Sequence, residues 1–230
     1  MSTLLEIDGV SKHFGGIVAN RNITLSVPEG AIVGLIGPNG SGKTTLFNSI
    51  VGYHPVDSGS IRFTGRELTR MRVPEIARLG MLRTFQQTRI YGRMDCVQNL
   101  LISVPHTHEG LFGMLAPFPT EETDKAEALL EFVGLYGKRR LLAGDLSFGQ
   151  QKLLEFAMAL MNEPRVLLLD EPTAGINPTL IRGLIDRMRR AADEYGITLF
   201  VIEHNMPVIM GLADEIRNNE LVVNAYLGAH

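Results

Sequence analysis

The sequence has a single cysteine, no long apolar run and no excess of charge of one sign, and each absence excludes a class of protein. The lone Cys96 rules out an internal disulfide, and we interpret it as a core residue rather than a catalytic one. No apolar run reaches the roughly 18 residues that a membrane-spanning helix needs. The amino terminus also lacks the pattern of a signal peptide. We therefore expect a cytoplasmic chain that reaches a membrane only through a partner.

The balance of charges argues against one further class. The 22 Lys and Arg residues are offset by 25 Asp and Glu residues, whereas a dedicated nucleic-acid binder carries a strong basic excess. No nucleic-acid partner is therefore expected. With 230 residues, 45% of them hydrophobic, the chain can build one sizeable core and a subdomain.

The most informative motif is Gly37–Thr44, GPNGSGKT, which lies between an apolar strand and a segment with helical spacing. It matches the phosphate-loop pattern, in which glycines turn backbone N–H groups towards phosphate oxygens and a helix N-terminus adds its dipole. A chance glycine turn is the alternative. We predict that the loop binds the phosphates of a nucleotide, with Lys43 on the β- and γ-phosphates and the Thr44 hydroxyl on Mg²⁺. The predicted nucleotide contacts are Asn39, Gly40, Gly42, Lys43, Thr44 and Thr45.

Acidic and imidazole side chains follow two further apolar runs. The run at 165–169 ends in Asp170 and Glu171, and the run at 197–202 is followed by His204. Continuous apolar runs are typical of parallel strands, and ligands bind at the carboxyl ends of such strands. Asp170 is predicted to hold Mg²⁺ through water, Glu171 to orient or deprotonate the attacking water, and His204 to contact the γ-phosphate. An acidic helix cap and a structural histidine are the alternatives.

Two other features admit two interpretations each. Ser147 and Gln150 have the spacing of a capping box, yet Gly149 in the first helical turn favours a close backbone approach to a ligand. Phe14, beside a glycine-containing loop, is predicted either to stack on an adenine or to close the edge of the core. His106 and His108 are read as part of a solvated loop rather than a metal site.

In their order along the chain, these elements resemble the ATP-binding cassette family over nearly the whole sequence. The resemblance rests on the phosphate loop, Gln86, the LSFGQ segment at 146–150, the strand ending at Asp170-Glu171, the turn at 174–177 and His204. It departs from the family at Phe148, where glycine is commoner, and at Asn177, where Asp is usual. The fold it implies is α/β: a P-loop NTPase core with a mostly parallel sheet, an antiparallel β subdomain and an inserted α-helical subdomain. The core is expected at 1–87 and 163–230, and the helical subdomain at 88–162.

The resemblance also implies a mechanism shared by two chains. A homodimer, or a heterodimer with a second ATPase subunit, would hold each ATP between one phosphate loop and the Ser147, Gly149 and Gln150 of the other chain. Gln86 would touch Mg²⁺ or the attacking water. The helical subdomain would receive integral membrane permease subunits, which places the chain at the inner face of the cell membrane.

A narrower similarity, to ATPases of branched-chain amino acid importers, rests on the residue identities of segments such as Arg83–Gln86 and 172–178. The sequence departs from the family in one respect, because the family's β-hairpin is absent between Ala213 and Arg217. A terminal helix is expected to begin at Arg217. A true deletion would uncover a sheet edge, so we expect a disordered segment to account for the difference.

Two functions compete with the importer subunit. A cassette ATPase without a membrane partner usually carries two cassettes or a long coiled-coil insertion, and neither is visible in this sequence. A kinase of another phosphate-loop class would leave the LSFGQ segment and His204 unexplained. Within the importer reading, a different cargo such as urea or an amide remains open.

Overall fold

We describe the chain from a computed structural model, which covers residues 2–84, 89–104 and 118–218 and gives side chains up to Asp214. The chain divides into two compact units. The first comprises Met1–Gln86, Pro164–Ala174 and Ile181–His230, and the second comprises Gln87–Glu163 and Gly175–Leu180. The second unit thus includes Gly175–Leu180, which the sequence-based division leaves in the core. Within the described residues, no helix combines the length and apolar character that a membrane crossing requires.

The first unit contains an antiparallel sheet at the amino-terminal end of the chain. Its strands are β1 (Thr3–Phe14), β2 (Ile17–Pro28), β4 (Ser58–Phe63) and β5 (Arg66–Glu67), in the order β2-β1-β4-β5. Alternating positions such as Leu5, Ile7, Ile61 and Phe63 are buried, as expected for a sheet with one face on the core. Alternation at 4–10 and 23–27, and a turn before 60–64, predicted β1, β2 and β4, although β1 and β2 are longer than the patterned stretches. The strand β5 was not predicted.

A parallel sheet forms the centre of the first unit. It consists of β3 (Ile32–Ile36), β6 (Met81–Arg83), β7 (Val166–Asp170), β8 (Thr198–Ile202) and β9 (Glu215–Asn218), in the order β6-β7-β8-β3-β9. Every residue of β7 and β8 is buried. The apolar runs in the sequence predicted the buried strands, and their carboxyl ends lie at one edge of the sheet.

Helices occur in both units. The helices that begin in or belong to the first unit are α1 (Lys43–Ile50), α2 (Val73–Arg78) and α7 (Met206–Leu212). The second unit contains α3 (Cys96–Ile102), α4 (Thr120–Phe132) and α5 (Phe148–Met161), and α6 (Pro178–Tyr195) begins there. Short 3-10 turns lie at Tyr136–Lys138 and Ala143–Asp145. The helical character predicted for residues 88–162 is confirmed for the part that the structure describes.

The helix that follows the phosphate loop is anchored by aromatic packing. Phe47 on α1 and Phe200 on β8 are both fully buried, with ring centroids 4.9 Å apart. Each buried aromatic contributes about 1.5–3 kcal/mol relative to an exposed one. This packing holds the amino end of α1, and therefore the loop before it, against the parallel sheet.

The region after α7 differs from the sequence-based expectation. The chain is continuous from Ala213, and Glu215–Asn218 form a strand that pairs in parallel with β3. Asp214 assists this pairing, since its Oδ2 accepts a hydrogen bond from the Ile32 N–H at 2.8 Å. The sheet edge that a deletion was expected to uncover is thus paired with β9. The helix expected from Arg217 is wrong at Arg217 and Asn218, which belong to this strand, and the rest of that predicted helix lies outside the described residues.

Candidate functional site

The phosphate loop connects β3 to α1 in a conformation that glycine makes accessible. Gly40 and Gly42 have φ angles of 84° and 86°, a region that side chains with a Cβ rarely adopt. Gly42 is the residue that immediately precedes α1, and its carbonyl accepts the first helical hydrogen bond from Leu46. The loop therefore leads directly into a helix N-terminus, whose free N–H groups and dipole favour an anion.

Lys43 lies folded back on the loop. Its Nζ donates to the carbonyl oxygens of Gly37 at 2.7 Å and Pro38 at 2.8 Å. Burial lowers the pKa of Lys43, and the nearby carboxylates of Glu171 and Asp170 act against that shift. The lysine is thus a buried cation whose partners are loop carbonyls, and phosphate oxygens can replace these with stronger, charge-assisted bonds.

Gly42 is supported by a residue of β2 that was not predicted from the sequence. Asn20 on β2 is 3% exposed, and its Nδ2 donates to the Gly42 carbonyl at 3.1 Å. A Cβ added at Gly42 would lie 2.1 Å from the Ala19 carbonyl oxygen. Because the clashing oxygen belongs to the backbone and cannot rotate away, the fit between β2 and the loop requires glycine at this position.

We expect Gly42→Ala to lower the free energy of unfolding by roughly 2–5 kcal/mol, since the left-handed backbone and the clash with Ala19 both oppose a Cβ. Gly40→Ala is the matched control, because Gly40 has nearly the same φ but open space around its Cβ position. The control should cost only about 1–2 kcal/mol. Chemical unfolding of the two variants measures the difference, and equal losses would show that the β2 contact contributes nothing.

Two carboxylates and a histidine meet at the carboxyl ends of β7 and β8. The Asp170 side chain is 2% exposed, and the Glu171 side chain 17%. His204 Nδ1 lies 3.5 Å from Glu171 Oε1. Glu171 has a φ of 49°, and its N–H is held by the Ile202 carbonyl at 2.9 Å. A left-handed backbone at a residue other than glycine is uncommon, and such strain concentrates at functional sites.

Arg83 is a second residue that the sequence analysis missed. This arginine, at the end of β6, donates from Nη2 to Asp170 Oδ2 at 2.7 Å, and both side chains are at most 5% exposed. Its Nη1 donates to Asn48 Oδ1 on α1. The three side chains come from different elements, so sequence spacing contained no signal for their contact.

A buried hydrogen bond also joins the segments around the two strand ends. Glu203, which precedes His204, is 1% exposed and accepts from both the N–H and the hydroxyl of Thr173. Thr173 opens the turn that follows Glu171. This contact, also missed from the sequence, fixes the turn relative to the histidine.

Phe14 lies at the end of β1 and is 44% exposed, so it is not part of the buried core. Its ring meets the His54 ring edge-on, with centroids 5.2 Å apart. Hydrogen bonds from His13, together with Lys12, lower the pKa of Asp57 to about 2. The ionised Asp57 therefore holds the strand end that carries Phe14.

The LSFGQ segment forms the start of α5, and the predicted capping box is confirmed. Gln150 N–H donates to Ser147 Oγ at 3.4 Å, and Ser147 N–H donates to Gln150 Oε1 at 3.1 Å. A Cβ at Gly149 would lie 2.7 Å from Leu180 Cδ1. Phe148 is 46% exposed and lies against Gly175, where a Cβ would be 3.1 Å from its ring. The start of α5 thus packs closely on the 175–180 segment of the same unit, and the nearest atom to a Cβ at Gly149 is a side-chain methyl that can shift.

The structure therefore brings Lys43, Asp170, Glu171 and His204 together in the first unit, with Thr44, Thr45 and Asn39 on the same loop and helix start. Ser147, Gly149 and Gln150 belong to the second unit. Gln86, predicted to contact Mg²⁺ or water, and the histidines at 106 and 108 lie outside the described residues.

Comparison with known proteins gives consistent matches. A family model described as ABC transporter matches residues 20–174. The high-affinity branched-chain amino acid transport ATP-binding protein LivG of Salmonella typhimurium is 36% identical over 249 aligned positions, which cover 98% of this chain and 98% of that protein. The corresponding protein BraF of Pseudomonas aeruginosa is also 36% identical, with the same coverage.

Solved structures agree with this result. The ADP conformation of an ATP-binding cassette of an ABC transporter superposes with a TM-score of 0.87 at 30% identity, covering 99% of this chain and all of the other. A nucleotide-free cassette from an ABC transporter has a TM-score of 0.83 at 32% identity, covering 94% of this chain and 87% of the other.

Proposed function

The chain belongs to the ABC transporter family, and from that membership we propose that it is the ATP-hydrolysing subunit that powers solute import through a membrane permease. The observation that carries this proposal is the convergence of Lys43, Asp170, Glu171 and His204 beside a phosphate loop. Branched-chain or other amino acids are the proposed cargo, because the relatives named above are branched-chain amino acid transport proteins.

Nucleotide binding begins with an exchange of partners at Lys43. Its Nζ leaves the carbonyls of Gly37 and Pro38 for the β- and γ-phosphates, while loop N–H groups and the start of α1 receive the remaining oxygens. Asn39, Gly40, Gly42 and Thr45 are the further proposed contacts. Phe14, whose ring is partly exposed at the end of β1, would stack on the adenine.

Magnesium fits this site as a companion of the phosphates. Among the described residues, no three His, Cys, Asp or Glu side chains gather to hold a metal. Thr44 and Asp170 offer oxygen ligands, and Mg²⁺ commonly combines one or two carboxylates with substrate phosphates. We therefore assign Mg²⁺ to Thr44, Asp170 and Gln86, where it would neutralise developing phosphate charge.

The attacking water is assigned to Glu171. The carboxylate orients the water and accepts its proton, while His204, 3.5 Å from it, contacts the γ-phosphate and keeps Glu171 in place. The bond between Glu203 and Thr173 maintains the turn after Glu171. General base catalysis of this kind contributes about 10²–10⁴-fold to a rate.

We propose that two copies of the chain, or one copy and a related ATPase subunit, complete each site. Ser147 and Gly149 of one copy would face the γ-phosphate held by Lys43 of the other, with Gln150 supporting the cap. Hydroxyl, N–H and helix start together form an electrostatic clamp. ATP then holds the dimer closed, and loss of the γ-phosphate opens it.

The second unit is the proposed docking site for integral membrane permease subunits, which would place the chain peripherally at the inner face of the cell membrane. Gln86 would report the nucleotide state to the second unit. A cassette ATPase without a permease, and an importer of a different small solute, are the competing functions.

We expect ATPase activity per chain to rise with protein concentration, because a shared site exists only in a dimer. Steady-state hydrolysis measured over a wide dilution series tests this, with light scattering to report association. Constant activity down to the monomeric range would instead indicate a site completed within one chain, as in a kinase.

Co-purification with permease subunits, followed by transport assays with amino acids, urea and amides, separates the cargo alternatives.

A further inference from the structure

The buried ion pair between Arg83 and Asp170 has no role in the mechanism proposed above. Its Nη2–Oδ2 distance is 2.7 Å, and the two side chains are 5% and 2% exposed. Burying two charges is costly, and a well-packed apolar pair in their place is often as stable. A buried pair at a proposed metal ligand therefore calls for an explanation other than general stability.

Arg83 is held by contacts that do not depend on Asp170. Its Nη1 donates to Asn48 Oδ1, and its guanidinium carbon lies 5.7 Å from the centroid of the Phe47 ring. Both residues belong to α1, the helix that begins with Lys43 and Thr44. Arg83 thus connects the helix of the phosphate loop to the end of β7.

The contact with Arg83 engages one of the two carboxylate oxygens of Asp170. Arg83 donates to Oδ2, so Oδ1 is the oxygen that remains for another ligand. Carboxylates that ligate metals are commonly oriented by such hydrogen bonds, and losing the orienting partner typically costs about 10–100-fold in metal affinity.

We propose that Arg83 is a positioning residue, which holds Asp170 with Oδ1 directed to the magnesium of a bound Mg²⁺–nucleotide complex. This inference rests on the proposed function, since it needs Asp170 as a magnesium partner. In this proposal Arg83 keeps its contacts with Asn48 and Phe47 whether or not nucleotide is bound, so it holds Asp170 in both states. If Arg83 acted only by repelling Mg²⁺, its removal would strengthen metal binding, which is the opposite of the change expected here.

The test compares ADP affinity in MgCl₂ with ADP affinity in EDTA, measured by calorimetry, so that no hydrolysis is involved. For Arg83→Met we expect ADP affinity in EDTA to stay within about twofold of the unmodified chain, while the gain from Mg²⁺ falls about 10–100-fold. Arg165→Met is the matched control, because Arg165 forms an exposed ion pair with Glu29 at 2.9 Å. The control should keep the full gain.

Arg83→Lys covers the case in which Arg83→Met does not fold. Lysine retains the charge but cannot donate to Asn48 and Asp170 in the same forked geometry, so we expect a smaller but measurable loss of the Mg²⁺-dependent gain. An unchanged or increased gain in either variant overturns the proposal and leaves Arg83 a structural or competing cation. If the unmodified chain itself binds ADP equally well in MgCl₂ and EDTA, the magnesium assignment is wrong and this inference falls with it.

Discussion

Glu171→Gln is expected to keep ATP bound while turnover falls by about 10²–10⁴-fold, the usual contribution of a general base. Glutamine has nearly the same shape and can remain near His204, so the binding of phosphates by Lys43 is preserved. Because ATP is then bound without being hydrolysed, the variant should accumulate as a dimer. Single-turnover hydrolysis and gel filtration with and without ATP measure the two effects.

Glu163→Gln is a matched control for this substitution. Glu163 has a φ of 48°, close to the 49° of Glu171, but it is paired with Lys125 at the surface. Turnover of the control should be unchanged. Residual turnover of Glu171→Gln above a tenth of the normal rate would contradict the role assigned to Glu171. An ATP-bound variant that stays monomeric would contradict the site shared by two chains.

Lys43→Ala is expected to weaken ATP binding by roughly ten- to a hundredfold, since a hydrogen bond to a charged group contributes about 1.5–3 kcal/mol. The ammonium group also donates hydrogen bonds to the loop carbonyls of Gly37 and Pro38. Its loss therefore removes both the charge and the hydrogen bonds that maintain the loop before nucleotide binds. Equilibrium titration with a fluorescent ATP analogue measures the affinity.

Lys125→Ala, which removes a surface lysine paired with Glu163 in the second unit, is the comparison for loss of one positive charge. It should bind ATP normally. If Lys43→Ala also binds ATP with normal affinity, the nucleotide lies elsewhere and the phosphate-loop assignment is wrong. Turnover alone does not decide this point, since hydrolysis can fail without any change in binding.

The sequence predicted those parts of the site that depend on local signals. The glycine spacing of 37–44 and the apolar runs ending at Asp170 and Ile202 each specify a strand or turn without knowledge of the rest of the chain. Parallel pairing then brings the strand ends together, because β7 and β8 align Asp170 with Ile202.

The missed contacts are those between residues far apart in sequence. Arg83 and Asp170, Thr173 and Glu203, and Asn20 and Gly42 meet only after the sheet order and register are known. An arginine after a short strand or an asparagine in an alternating strand carries no local mark of its partner. β9 was missed for a different reason: similarity to a terminal helix outweighed the pairing available at the edge of β3.

The most direct test is the structure of the Glu171→Gln chain with ATP and Mg²⁺. We predict a dimer in which Ser147 Oγ and Gly149 N of one copy lie about 3 Å from γ-phosphate oxygens that Lys43 of the other copy also binds. A complex in which the nucleotide is fully bound by one copy, with both LSFGQ segments remote from any phosphate, would contradict this.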